Sequence, residues 1–249
     1  MIGFIDSGVG GINVLVECAK IYKEDFVYLA DNKNSPYGNL PKKQLYEITK
    51  HNIKFLIEKY NVDLVVLACN TTSASVGEKL QAYFNVPIVL TKPCAKEVEK
   101  LEKPVLFFGT KNTIKNNKEI QNLIKNKNNY KSLYITNLPK IIDQNISKPN
   151  NILPFLKQNI GYKKYKEIKT ICLCCTHFKL IKKQLKYCFV QNIKFYEYEK
   201  EVAKKSLNYI KNNNKEKSSY KIVLTKKDEK LYLAIKKYMI KKLNGKFDK

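Results

Sequence analysis

Short apolar runs alternate with amphipathic stretches along the whole chain. The runs Ile2–Asp6, Phe26–Ala30, Leu64–Ala68, Ile88–Leu90, Val105–Gly109, Ser132–Thr136, Thr170–Cys174, Lys194–Tyr196 and Lys221–Thr225 predict strands. Between them, apolar residues fall three and four apart, as on one face of a helix. Leu45, Ile48, Asn52, Leu56 and Tyr60 form one such stripe; Phe178, Ile181 and Leu185 a second; Leu231, Ala234, Ile235 and Tyr238 a third. Strands that alternate with helices predict an α/β fold with mostly parallel sheets covered by helices on both faces.

Two interruptions divide this pattern. Thr91–Lys92–Pro93 precedes a helix, and a fresh strand starts after Pro104, as if a second sheet begins there. The polar stretch Lys211–Ser219 precedes a last strand–helix unit. Val105–Gly109 followed by Thr110 echoes Ile2–Asp6 followed by Ser7–Gly8, which predicts two similar halves.

Composition narrows the class. At 249 residues and 44% hydrophobic content the chain can bury a proper core. No stretch approaches the ~18 consecutive apolar residues of a membrane span. The first strand begins without a basic region or cleavage site, so no signal peptide is expected. Seven cysteines without a disulfide-like spacing fit a reducing compartment, and the expected location is cytoplasmic. The net charge of +25 comes entirely from lysine, with no arginine to make bidentate or stacked contacts. Lysine runs such as Lys111–Asn129 read as solvated surface, so no dedicated nucleic-acid binding is expected.

Two cysteines carry the chemistry. Cys69 ends the run Val62–Ala68 and is followed by Asn70–Thr71–Thr72; Cys175 ends the run Ile168–Cys174 and is followed by Thr176–His177. Each stands where a buried strand hands over to a helix, at the sheet edge where α/β proteins bind ligands. Two thiols on opposite sides of a bound molecule suit removal of a proton from carbon on one face and delivery on the other. The turn Asp6–Ser7–Gly8–Val9–Gly10–Gly11 adds a carboxylate, a hydroxyl and close backbone approach. Cys172, Cys174, Cys175 and His177 lack the second ligand pair that a zinc site needs, so no metal is expected. Cys18, Cys94 and Cys188 read as small buried hydrophobes, and His51 as a surface residue.

Together these segments resemble the glutamate racemase family of cofactor-independent aspartate/glutamate racemases. The resemblance rests on Phe4–Gly11, Asp31 with Pro36–Tyr37–Gly38, Ala68–Cys69–Asn70–Thr71 and Cys175–Thr176–His177–Phe178. Thr110–Ile114 and Asp143, where the family usually has Glu, are weaker matches. The chain departs from the family at Cys174 (usually Gly), at Lys179 (usually Pro) and in Ala30–Asn34.

The resemblance implies two α/β domains with the active site in the cleft between them. The C-terminal segment would return to the first domain, giving 1–92 plus 210–249 and 93–209. It implies Cys69 and Cys175 as the acid/base pair; Asp6, at the end of the first strand, and His177, two residues beyond Cys175, are placed to assist them. Asp6, Ser7, Pro36, Tyr37, Gly38, Asn70, Thr71, Thr113, Thr176 and His177 would hold the amino acid. The implied activity is interconversion of L- and D-glutamate without a cofactor, supplying peptidoglycan, in a homodimer. An aspartate racemase is the alternative, disfavoured by Thr72–Ser73, by His177 and by the absence of arginine; a non-catalytic binding protein on the same fold is another.

Overall fold

Strand burial explains the topology. In the computed structural model, which describes residues 1–189, 192–210 and 215–243, β1 (Ile2–Asp6), β3 (Leu64–Leu67), β5 (Val105–Gly109) and β7 (Thr170–Cys174) are buried at every position. Strands apolar on both faces belong in the middle of parallel sheets covered by helices. β2 (Asp25–Ala30), β4 (Ile88–Leu90), β6 (Tyr130–Tyr134), β8 (Lys194–Tyr196) and β9 (Ser219–Leu224) complete two sheets. The first has the order β4-β3-β1-β2-β9 and the second β6-β5-β7-β8; every pairing is parallel. The α/β class with two parallel sheets is as the sequence predicts.

The strand order reverses between β1 and β3 in the first sheet and between β5 and β7 in the second. At such reversals the connecting helices leave to opposite faces and open a crevice beyond the carboxyl ends of the strands. Asp6 and Cys69 stand at the first crevice, Thr110 and Cys175 at the second.

Two strands differ from their predicted bounds. β6 runs over Tyr130–Tyr134, two residues earlier than expected, because Tyr130 is buried and its ring stacks on Phe107 of β5 at 6.0 Å. β9 starts at Ser219, and Tyr220 stacks on Phe26 of β2 at 5.5 Å. Aromatic pairs across neighbouring strands fix register more strongly than alternation alone.

The helix over Lys42–Tyr60 buries Leu45, Tyr46, Thr49, Asn52, Ile53 and Leu56, with Ile48 and Tyr60 half-buried. It stops at Asn61, whose left-handed conformation caps it. The helix over Glu199–Leu207 follows the second sheet, yet Ser206 bonds Cys18 and Tyr22 beside the first. The last helix, Glu229–Lys242, is capped by Asp228 and buries Leu231, Ile235 and Met239. Of the polar stretch expected before β9, residues 211–214 lie outside the described residues. No helix among the described residues is long and apolar enough to cross a membrane. Cys18 and Cys188 are buried as expected, whereas Cys94 is only half-buried because it sits at the exposed start of the helix Ala95–Glu99.

Candidate active site

From the first sheet, the chain leaves β1 through a turn whose backbone is held from both sides. Asp6 is fully buried; Oδ1 accepts the Gly8 N–H at 2.9 Å and Oδ2 accepts the Thr176 hydroxyl at 3.2 Å. The buried Tyr28 hydroxyl donates to the Gly8 carbonyl at 2.7 Å. Cys69 follows β3 in extended conformation, immediately before the helix Asn70–Ser75.

From the second sheet come Cys175, Thr176 and His177. His177 Nδ1 lies 4.0 Å from Cys175 Sγ, and Nε2 lies 3.2 Å from Asp143 Oδ1, at ion-pair distance but off the hydrogen-bonding direction. This segment packs directly onto the Ser7–Gly11 turn. A Cβ on Gly10 would stand 2.5 Å from His177 Nδ1 and 2.6 Å from its backbone nitrogen, so only glycine fits there. Asn13 ties the same contact, donating to the carbonyls of Gly10 at 2.9 Å and Thr176 at 3.4 Å.

Hydroxyls join the sheets on the other side. Thr71, Thr110 and Thr113 form a triangle of hydrogen bonds at 2.9, 2.9 and 3.2 Å. Nearby, the Asn112 amide donates to the Leu40 carbonyl and the Asn39 amide to Asn137.

A tight cavity of about 10 Å³, roughly the room of one water molecule, lies between these parts. Both thiols line it, as do Ser7, Pro36, Tyr37, Gly38, Asn70, Thr71, Thr176 and His177. Asp6 and Thr113 stand one layer behind the wall, where Asp6 holds Thr176 and Thr113 holds Thr71. Tyr37 lines the cavity, while its hydroxyl donates to Asp31 at 2.6 Å. Asp31 also binds Asn34, Asn52 and Thr225, which braces the Pro36–Gly38 wall. Sequence reasoning missed Thr110 and Pro139 in the lining, and Asn13 and Tyr198 behind it. The turn-forming position of Thr110, matched to Ser7 by the echo between halves, was the available signal for the first of these.

The two thiols sit in different fields. Burial, with the Asp6 charge beside it, pushes the Cys69 thiol up to about 12. Burial also raises the Asp6 carboxyl, against the opposing pull of His177 and the Gly8 N–H. At His177 burial disfavours charge, yet the carboxylates of Asp143 and Asp6 win and hold its pKa well above the ordinary histidine value. An imidazolium therefore stands beside Cys175, and the Asp6 carboxyl beside Cys69.

Two parallel sheets thus face each other across one cavity, and each contributes a strand-end thiol to its lining. A glutamate racemase of Clostridium novyi (strain NT) is 34% identical over 190 residues, 74% of this chain and 73% of that protein. A solved glutamate racemase isoform of Bacillus anthracis superposes with a TM-score of 0.81 at 22% identity, covering 96% of this chain and 93% of that one. The glutamate racemase of Aquifex pyrophilus does so with a TM-score of 0.73 at 27% identity, covering 96% and 94%. No protein-family model matches the chain. The chain belongs to the glutamate racemase family.

Proposed function

We propose that this protein interconverts L- and D-glutamate by proton transfer at Cα between two thiols, without a cofactor, and supplies D-glutamate for peptidoglycan. One observation carries the mechanism: a single cavity is lined by one cysteine from each sheet. Inversion at carbon needs a base on one face and an acid on the other at the same moment.

In the L-to-D direction the Cys175 thiolate removes the Cα proton, and the C–H electron pair passes into the α-carboxylate. The Cys69 thiol then delivers its own proton to the opposite face. The surroundings of each sulfur suit these roles: His177 Nδ1 stands beside Cys175, and burial keeps Cys69 protonated. In the reverse direction Cys69 must give up its proton first, and Asp6 is the adjacent acceptor. Charge that develops on the α-carboxylate is met by preorganised donors, drawn from Ser7, Thr71 and Thr176. Among the described residues the cavity lining holds no lysine, and the chain has no arginine, so hydroxyl and amide donors meet the side-chain carboxylate.

We also assign 1–92 with 210–249 to one domain and 93–209 to the other, in line with the sheet membership of the strands. A homodimer in the cytoplasm, acting on a small amino acid, completes the assignment.

The test is to incubate purified, dialysed protein with L-glutamate in D₂O and resolve the enantiomers. D-Glutamate carrying deuterium at Cα is expected; neither inversion nor exchange would overturn the assignment. Faster turnover of aspartate under the same conditions would reassign the substrate.

A further inference from the structure

Asn70 has two unlike ends, an acceptor oxygen and a donor amide nitrogen, and only the donor is useful to a carboxylate. Which end faces the cavity is decided behind the wall. The Tyr198 hydroxyl donates to Asn70 Oδ1. Tyr198 precedes the helix Glu199–Leu207, beyond the last strand of the second sheet, whereas Asn70 follows β3 of the first. Both side chains are 3% exposed, and Tyr198 does not line the cavity. Its ring is braced by Tyr196, with ring centres 5.9 Å apart.

We propose that Tyr198 is a positioning residue for glutamate: its hydroxyl occupies Asn70 Oδ1 and so presents the Asn70 amide N–H to the substrate carboxylate beside Cys69. Burial raises the phenol's pKa well above its ordinary value, so the hydroxyl remains a donor throughout the working pH range. It has no other hydrogen-bond acceptor among the described residues, so its proton goes to Asn70. Without it the amide is free to turn, and a turned Asn70 would set its oxygen against an anion.

This inference rests on the proposed activity, so the wild type is assayed first. Tyr198→Phe keeps the ring and removes only the hydroxyl. We expect KM for both glutamate enantiomers to rise about tenfold with kcat little changed, as for an interaction shared by ground and transition states. The thermal midpoint should stay near that of the wild type. In an Asn70→Ala background Tyr198→Phe should add nothing to the loss of D-glutamate affinity measured by calorimetry, because the hydroxyl acts only through Asn70. Equal losses in both backgrounds, or an unchanged KM in an active enzyme, would overturn the inference alone. A wild type without glutamate turnover would overturn the functional assignment, and this inference with it. A structure of the wild type with D-glutamate offers an independent check: a Tyr198 hydroxyl out of reach of Asn70 would also refute the proposal.

Discussion

Asp143, in the helix Leu138–Gln144 beside the second sheet, and Gly8, in the turn after β1 of the first, are shaped for each other. A Cβ on Gly8 would stand 2.6 Å from Asp143 Oδ2 and 2.9 Å from His177 Nε2. The glycine turn after β1 therefore makes room for a histidine–carboxylate pair carried by the second sheet, as well as bordering the cavity. Closing the sheets on one another and charging His177 are parts of one contact.

That contact makes the His177 charge removable. In Asp143→Asn the largest force raising its pKa is gone, and burial then favours the neutral ring. The imidazolium is lost at a lower pH than in the wild type. The alkaline limb of kcat/KM for L-glutamate should move to lower pH, with activity at pH 8 down on the order of tenfold. A pH–rate profile of the two proteins checks this, and coincident alkaline limbs would contradict it.

The same groups make stability fall in alkali. Cys69 has a folded pKa of about 12 against an ordinary 9.0, so between those values the native protein holds a proton that the unfolded chain releases. Its contribution is full below pH 9.0 and is lost as pH rises towards 12. His177, also raised, acts with the same sign from its ordinary 6.5 upward. Urea unfolding at pH 7.5 and pH 10 should show a loss for the wild type, reduced by on the order of 1 kcal/mol in Cys69→Ala. An identical pH dependence in the two proteins would place the titration elsewhere.

Much of this organisation is legible in the chain because it depends on local pattern. Strands buried on both faces are unbroken apolar runs, and Cys69 and Cys175 stand at their ends. What is hidden depends on which distant segments meet. Thr113 occupies the expected region, but its hydroxyl is held by Thr71 and Thr110, which keeps it behind the wall. Tyr37 is in place, but its hydroxyl turns to Asp31, at the hub that also takes Thr225 from the far end of the chain. Tyr198 carries no signal at all, since nothing nearby in sequence says that it reaches Asn70. The two-residue error at β6 has the same origin: the Phe107–Tyr130 stack is a cross-strand contact, invisible to periodicity.

Gly10→Ala tests the packing of the two halves of the site. The added methyl meets the backbone nitrogen of His177 at 2.6 Å, a neighbour that cannot rotate away. The Cys175–His177 turn must shift, and Cys175 shifts with it. A misplacement of the order of 1 Å can cost about 100-fold in rate. kcat should fall by at least an order of magnitude, whereas Gly161→Ala, whose nearest neighbour is 3.8 Å away, should be silent. Equal activity in the two variants would show that the site tolerates the displacement.

Replacing one thiol separates the two faces of the reaction. Cys69→Ser and Cys175→Ser should each lose racemisation by about a thousandfold or more, since a serine hydroxyl is a far weaker acid than a thiol and supplies no anionic base near neutrality. Loss of kcat/KM must be equal in the two directions, because the equilibrium between enantiomers is fixed, so overall turnover cannot say which sulfur serves which face. A half-reaction can. Elimination of halide from a β-halogenated glutamate needs one base and no opposing acid. Cys69→Ser retains Cys175 and should eliminate from the L-form; Cys175→Ser retains Cys69 and should eliminate from the D-form. The field at Cys69 predicts a pH dependence as well. Elimination by Cys69 should rise steeply with pH, because Cys69 must first lose a proton held up to about 12. Chloride release measured for both enantiomers from pH 6 to 10 reads face and field together. If both variants eliminate from the same enantiomer, the assignment of one thiol to each face is wrong.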